Sequence, residues 1–304
     1  MDFAFSEEQQ MLRASARDWL ADRYPLDKVA AISDGETGFD PEAWPQLLKM
    51  GWLDDSLEMT DLAVLAEEAG YGLLPAPFVT TVALAAPLVG SAERPASVVV
   101  NGLAPDAGAV ELLVADGTVF ETSACTITPL ESVDRLRRYS QVELPSSGGQ
   151  PAASTADAAT VRNRAGALLA CEAVGVTQRA LDLAVDYVKQ REQFGRVIGS
   201  YQAVAHKVAD IYVQLELARS LAYWAAWAVE VGDDVASVAV ASARSAASEA
   251  AVFGCEAAIQ AHGGIGFTWE HPLHRFYKRA QWIATWGGSP TSQRAEVASA
   301  VFGG

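Results

Sequence analysis

Arg191, Gln193, Phe194 and Gly195, with Gly199 and Tyr201 close behind, set a cation, an amide, two aromatic rings and two glycines in one short stretch. Arginine offers a planar fork of donors matched to phosphate oxygens. Glycine lets the backbone bend tightly or approach a ligand closely. A helical pattern (Leu181, Val185, Val188) runs into the stretch and resumes from Ser200 with Ala203, Val204, Val208 and Ile211. Two helices therefore meet at a loop able to hold a phosphate-bearing ligand. The same residues also suit a plain helix-turn-helix in which Arg191 caps a helix end or pairs with Glu192 or Asp186. About seventy residues on, Gln260, Gly263, Gly264, Gly266 and Phe267 end a long alanine-rich helix within Ala258–Arg279.

Candidate acids and bases are few. Glu172 and Glu249 fall among small apolar residues on helical segments, so burial would shift either carboxyl, but a solvated or salt-bridged role is the commoner one. Glu270 reads as a helix cap. His262 and His274 could titrate near neutrality, yet neither has an acid at fixed spacing. There is no P-loop, glycine-rich nucleotide loop or zinc spacing, and Cys125, Cys171 and Cys255 are too scattered for a disulfide framework. A reducing, cytoplasmic setting follows.

The elements that must position these residues divide into three. Net charge is −16, which disfavours nucleic acid and anionic membranes and leaves Arg191/Arg196 and His274-Arg275 with Lys278-Arg279 as the local basic sites. The N-terminus, MDFAFSEEQQMLR, is amphipathic and unlike a signal peptide, and no run is long enough to span a membrane. Residues 1–92 read as a helical domain: a cap at Ser6, a helix opened by Asp40-Pro41 with Trp44, Leu47 and Leu48 inward, a third over Leu62–Ala69, and an apolar helix Phe78–Val89 after Pro75 and Pro77. Residues 93–150 carry β-like runs at Val98–Asn101, Val110–Ala115, Val119–Thr122 and Tyr139–Leu144, a small β domain. Ser146–Thr155 reads as a linker. Residues 151–304 read as a helical bundle built from Ala156–Gln190, Ser200–Val231, Asp233–Ala261 and His271–Trp282, with Arg294–Phe302 as a last short helix. The fold class is mostly α with a small β domain.

These stretches resemble the acyl-CoA dehydrogenases, flavoenzymes that desaturate acyl-CoA thioesters. The pattern R-x-x-F-G-x-x-I/L-x-x-x-Q-A is met by Arg191, Phe194, Gly195, Ile198, Gln202 and Ala203. The pattern Q-x-x-G-G-x-G-F/Y is met by Gln260, Gly263, Gly264, Gly266 and Phe267. Phe39, Asp40, Pro41, Trp44, Gly51 and Trp52 match a further N-terminal element, although Leu53–Asp61 is shorter than the family's loop. The resemblance implies the three-part fold above, with the middle β domain reduced. It also implies FAD, with Arg191, Gln193, Phe194, Ile198, Tyr201, Gln260, Gly263 and Gly264 on the pyrophosphate and adenine side.

What the resemblance does not supply is equally specific. The family's loop that holds the flavin ring is missing; Asn101–Gly108, with Asp106, is the nearest candidate. The carboxylate that removes the α-proton falls at Gly287 in the usual place and at Ala165 in the alternative one, so neither can abstract a proton. In the family each FAD lies across a subunit interface, and this chain keeps one subunit's contacts while lacking the other's. It thus resembles the degenerate smaller subunit of heteromeric α2β2 acyl-CoA dehydrogenases of steroid-degrading actinobacteria. That subunit would share FAD with a full-length homologue that carries the Glu base, acting on an acyl-CoA such as a sterol side-chain CoA ester. Two other readings remain at this point: a catalytically dead structural or regulatory module, and a homo-oligomeric dehydrogenase whose base has moved to Glu249 or Glu172.

Overall fold

A computed structural model describes residues 5–154 and 156–303. The first four residues of the N-terminal stretch and Thr155 of the expected linker lie outside the described residues. Helix α1 (Glu7–Arg23) opens on a reciprocal cap. The Ser6 hydroxyl accepts from Gln9 N–H, and the Gln9 side chain accepts from Ser6 N–H, as the Ser-x-x-Gln spacing predicts. Helices α2 (Leu26–Asp34), α3 (Ala43–Lys49) and α4 (Met59–Gly72) follow. Trp44 and Leu47 are buried as expected. Leu48, one residue further round α3, is 40% exposed.

Phe78–Val89 is helical, with a π-helical interior over Thr80–Ala85 and a last turn, α5 (Ala86–Val89). Pro87 accounts for the widening: it has no N–H to return to the preceding turn, and Ala86 N–H reaches back to Thr81 O. In π geometry the donor for Val82 O would be residue 87. Arg164 Nε replaces it at 2.8 Å.

Two short sheets make up the middle of the chain. One runs β1 (Ala96–Val98), β3 (Leu112–Ala115), β4 (Thr118–Glu121), β7 (Gln150–Pro151), with β1 and β3 parallel. The other runs β2 (Leu103–Pro105), β6 (Tyr139–Glu143), β5 (Thr126–Pro129). The expected run Val98–Asn101 is corrected: the strand ends at Val98, because Asn101 and Gly102 both adopt positive φ and turn the chain into β2. Ser146–Thr155 is also not a free linker throughout, since Gln150 and Pro151 pair with Val119 and Thr118.

The remainder is helical: α6 (Ala158–Gln190), α7 (Gln202–Glu230), α8 (Ala236–His262), α9 (Leu273–Thr285) and α10 (Pro290–Phe302). One hydrophobic core runs from α1–α4 into this bundle without a break. The join is tightest where α4 crosses α6. A Cβ on Gly70 would lie 2.2 Å from Glu172 O, and one on Gly175 would lie 1.8 Å from Glu67 O, so the two backbones touch through glycines. Among the described residues no helix is long and apolar enough to cross a membrane.

Candidate functional site

The Arg191 loop is a two-residue β-hairpin between α6 and α7, strand β8 (Glu192–Gln193) pairing with β9 (Arg196–Val197). Phe194 and Gly195 form its turn at φ +54° and +78°. Such a turn needs positive φ at both central residues and normally takes asparagine, aspartate or glycine. A bulky phenylalanine there is strained, and its ring is 92% exposed. Ile198 N–H donates to Arg191 O and the Tyr201 hydroxyl to Gln193 O at 3.1 Å, closing the hairpin onto the start of α7. Arg196 lies over the Tyr201 ring at 3.8 Å. The Gln193 amide donates to the adjacent Glu192 O. Arg191 is exposed, and none of the described carboxylates lies within ion-pair distance of it, so neither Glu192 nor Asp186 is its partner.

The second glycine-rich stretch lies at the same end of the bundle. Gly263, at φ +62°, closes α8 and starts a short 3-10 turn over Gly263–Phe267. Gln260, Gly263 and Gly264 are exposed, and a Cβ on either glycine would meet nothing within 4 Å. Gly266 is the one that must be glycine, since its Cβ would fall 2.4 Å from Ile259 O. Beneath the two loops Tyr187, one turn before Arg191, stacks on His262 at 4.3 Å, and His262 packs on His271 at 4.3 Å. Burial, with neighbouring His262 and His274, lowers His271 to about 4. Burial also lowers His262, whose Nδ1 bonds Ala258 O at 2.7 Å. His262 is thus a packed strut between Tyr187 and His271, with its Nδ1 committed to the backbone. His274 likewise stacks on Trp269 at 4.4 Å and is held below its usual range by burial. Tyr187 escaped the sequence reading; the signal was an aromatic at helical spacing before the loop.

The second basic cluster proves mostly internal. Arg275 is buried and pairs with Asp34 at 2.7 Å. Arg279, 1% exposed, pairs with Asp134 and, at 2.7 Å, with Glu172. Glu270 is not a cap of α9, whose N-cap is Pro272; it is exposed, and its own backbone and the nearby Thr268 hold its carboxyl below the usual range.

The substitute bases are disposed of by their surroundings. Glu172 is fully buried, gripped by Arg137 through bonds of 2.7 and 2.8 Å and by Arg279 through one of 2.7 Å. Burial would raise its carboxyl, but the two guanidiniums outweigh burial and hold it below the usual range. A carboxylate so held stays charged and fully occupied. Glu249 is on the surface, 52% exposed and paired with Arg294. Asp106, the one acid of Asn101–Gly108, is no exposed flavin contact either: it is 8% exposed, accepts from the Thr80 hydroxyl and sits 3.9 Å from Arg137, with burial raising its carboxyl.

Gly287 is exposed at φ +67° just beyond α9, and Ala165 is buried in α6. Gly287 and Gly166 line one cleft with Arg244, whose Nη2 donates to Ile283 O and Trp286 O at 3.0 and 2.6 Å, a cation on the C-terminal carbonyls of α9. Burial lowers Arg244 to about 10. Glu296, overlooked in the sequence, is the one acid of this cleft, exposed on α10. In the cleft to which the resemblance assigns the proton acceptor, the buried charge is the Arg244 cation.

The model of the acyl-CoA dehydrogenase C-terminal domain matches residues 158–302. Acyl-CoA dehydrogenase IpdE2 of Mycolicibacterium smegmatis is 32% identical over 98% of this chain and 100% of its own length. Acyl-CoA dehydrogenase FadE34 of Mycobacterium tuberculosis is 32% identical over 93% of this chain and 47% of its own. Among solved structures, a chain of the ChsE4–ChsE5 complex from M. tuberculosis superposes at TM-score 0.88 with 22% identity, and one of the Tcur3481–Tcur3483 steroid acyl-CoA dehydrogenase at 0.85 with 22%. They cover 99% and 98% of both chains respectively. On these grounds, and on the two motifs at one end of its bundle, the chain belongs to the acyl-CoA dehydrogenase family of FAD-dependent oxidoreductases.

Proposed function

We propose that this chain is the smaller, non-catalytic subunit of a heteromeric acyl-CoA dehydrogenase. It completes the FAD site of a full-length partner that carries the glutamate base, most simply in an α2β2 assembly. Its three domains are residues 1–92, 93–150 and 151–304. The observation that carries the reading is an asymmetry. An exposed hairpin whose Arg191 pairs with no described carboxylate, and whose strained Phe194 faces solvent, stands ready for a ligand, whereas among the described residues no carboxylate is free, buried and apolar enough to take an α-proton. FAD, when bound, supplies the hydride acceptor for desaturation. This chain's part would be to hold its pyrophosphate with the Arg191 fork and the N-terminus of α7, which has no side-chain cap. Gln193, Phe194, Ile198 and Tyr201 would flank the adenine, and Gln260, Gly263 and Gly264 would let the dinucleotide approach the backbone. Two structural neighbours named as a heteromeric complex and a steroid dehydrogenase support a heteromer acting on a steroid-derived CoA ester.

The test is purification of the chain alone and with a co-expressed full-length homologue. Yellow protein only on co-expression is the expected outcome. A yellow homo-oligomer that oxidises an acyl-CoA unaided would overturn it in favour of a relocated base, with Glu296 the first residue to change. A colourless protein in every pairing would mark a structural or regulatory module.

A further inference from the structure

Arg164 is the feature left over once the cofactor side is accounted for. It sits near the start of α6, about 40 Å along the helix from Arg191 at 1.5 Å per residue. Its Nε is committed to the Val82 carbonyl that Pro87 leaves without a helical donor. Among the described residues neither Nη has a hydrogen-bond partner, and no carboxylate forms an ion pair with it. Burial pulls the guanidinium below its usual range, with no acid to offset that. A cavity of about 350 Å³ opens beside it, within the size range of small-molecule sites. Trp52, Leu57, Val82 and Pro87 contribute its apolar walls, and Asp54 and Asp55 stand among its lining residues. Asp54 is turned to Ser56, accepting from its N–H at 2.9 Å.

From this geometry we infer that the Arg164 cavity is a binding site for a small organic monocarboxylate with a compact apolar body. The two free Nη groups form the bidentate fork that a carboxylate fits. The apolar side chains, the smaller share of the exposed lining, accept a short hydrocarbon portion, and the two aspartates, which oppose every anion, oppose a multiply charged phosphate more than a single carboxylate. The π-helix is part of the device. It supplies the carbonyl that fixes Nε, so the fork is already oriented before a ligand arrives.

Calorimetric titration of the full chain with octanoate and with its uncharged counterpart octanamide tests the assignment. One octanoate should bind per chain, with octanamide about tenfold weaker or worse, since bonds to a charged partner are the stronger ones. Arg164→Gln should erase the difference. Because Arg164 also serves Val82 O, a second variant, Ala86→Leu, fills the half-exposed wall, leaves Arg164 in place, and should abolish binding of both probes. Equal affinity for the two probes, octanoate binding unchanged in Arg164→Gln, or no saturable octanoate binding overturns the site. Competition by inorganic phosphate at matched ionic strength overturns the carboxylate assignment. None of these readouts depends on flavin or on a second subunit, so they stand or fall apart from the half-site reading.

Discussion

Replacing Glu172 with glutamine should unfold this protein more readily without touching chemistry. The residue is fully buried and accepts three short bonds from two buried guanidiniums, Arg137 and Arg279. Arg279 keeps Asp134 when Glu172 is neutralised, but Arg137 keeps only Asp106 at 3.9 Å. Removing one partner from such a pair leaves an uncompensated buried charge and costs about 3–5 kcal/mol. Set against a typical total of about 5–15 kcal/mol, that is a large fraction. Urea unfolding followed by circular dichroism reads it directly. The pH dependence carries a sign as well. Because the folded carboxyl is held below its unfolded value, the contribution of Glu172 is present above the ordinary carboxylate range and is lost as pH falls through the lowered folded value. Asp106, raised by burial, acts in the opposite sense, its contribution being lost as pH rises, so the informative quantity is the difference between wild type and Glu172→Gln. A loss below about 1 kcal/mol, with superimposable pH profiles, would show that the cluster is hydrated and refute the reasoning, because the penalty comes from desolvation.

Arg191→Ala should lower FAD occupancy of the co-expressed complex by roughly 10- to 100-fold in affinity, the worth of a charge-assisted phosphate contact of about 1.5–3 kcal/mol, read from the flavin absorbance of purified complex. Glu249→Gln should leave turnover unchanged and stability within about 1 kcal/mol, since its pair with Arg294 is half exposed, and a collapse in rate would reinstate a relocated base. Gly175→Ala should destabilise by about 1–3 kcal/mol or more, as a Cβ would press on Glu67 O and force α4 away from α6; an unchanged melting curve would mean the crossing is loose.

The elements that were legible in the sequence are those written locally. Ser6 and Gln9 announce the first helix, and the apolar spacing around Val188 and Ile211 places a loop between α6 and α7 at Arg191. What escaped depends on residues far apart in the chain. Nothing near Glu172 signals that Arg137, from the loop before β6, and Arg279, from α9, will close on it. Arg275 and Arg279 look like an anion site in sequence because their partners Asp34, Asp134 and Glu172 lie over a hundred residues away. The strand β5 was missed because it is largely exposed and ends in proline, so it lacks the alternation that marks a half-buried strand.

The strain at Phe194 ties the fold to the proposed role. Asparagine or glycine would make the same hairpin turn at lower energy, and a phenylalanine ring left 92% in water gains nothing from the folded monomer. A side chain that is both strained and solvated is stabilised only by something that covers it. The rest of the hairpin is tied down by Ile198, Tyr201 and Arg196, so the backbone holds the ring outward before any ligand or partner arrives. Preorganised in that way, the loop loses little conformational entropy on binding. The chain thus spends its strain on the end of the bundle proposed to face the cofactor, while the end to which the resemblance assigns the base is closed by the Arg244 cation on the carbonyls of α9.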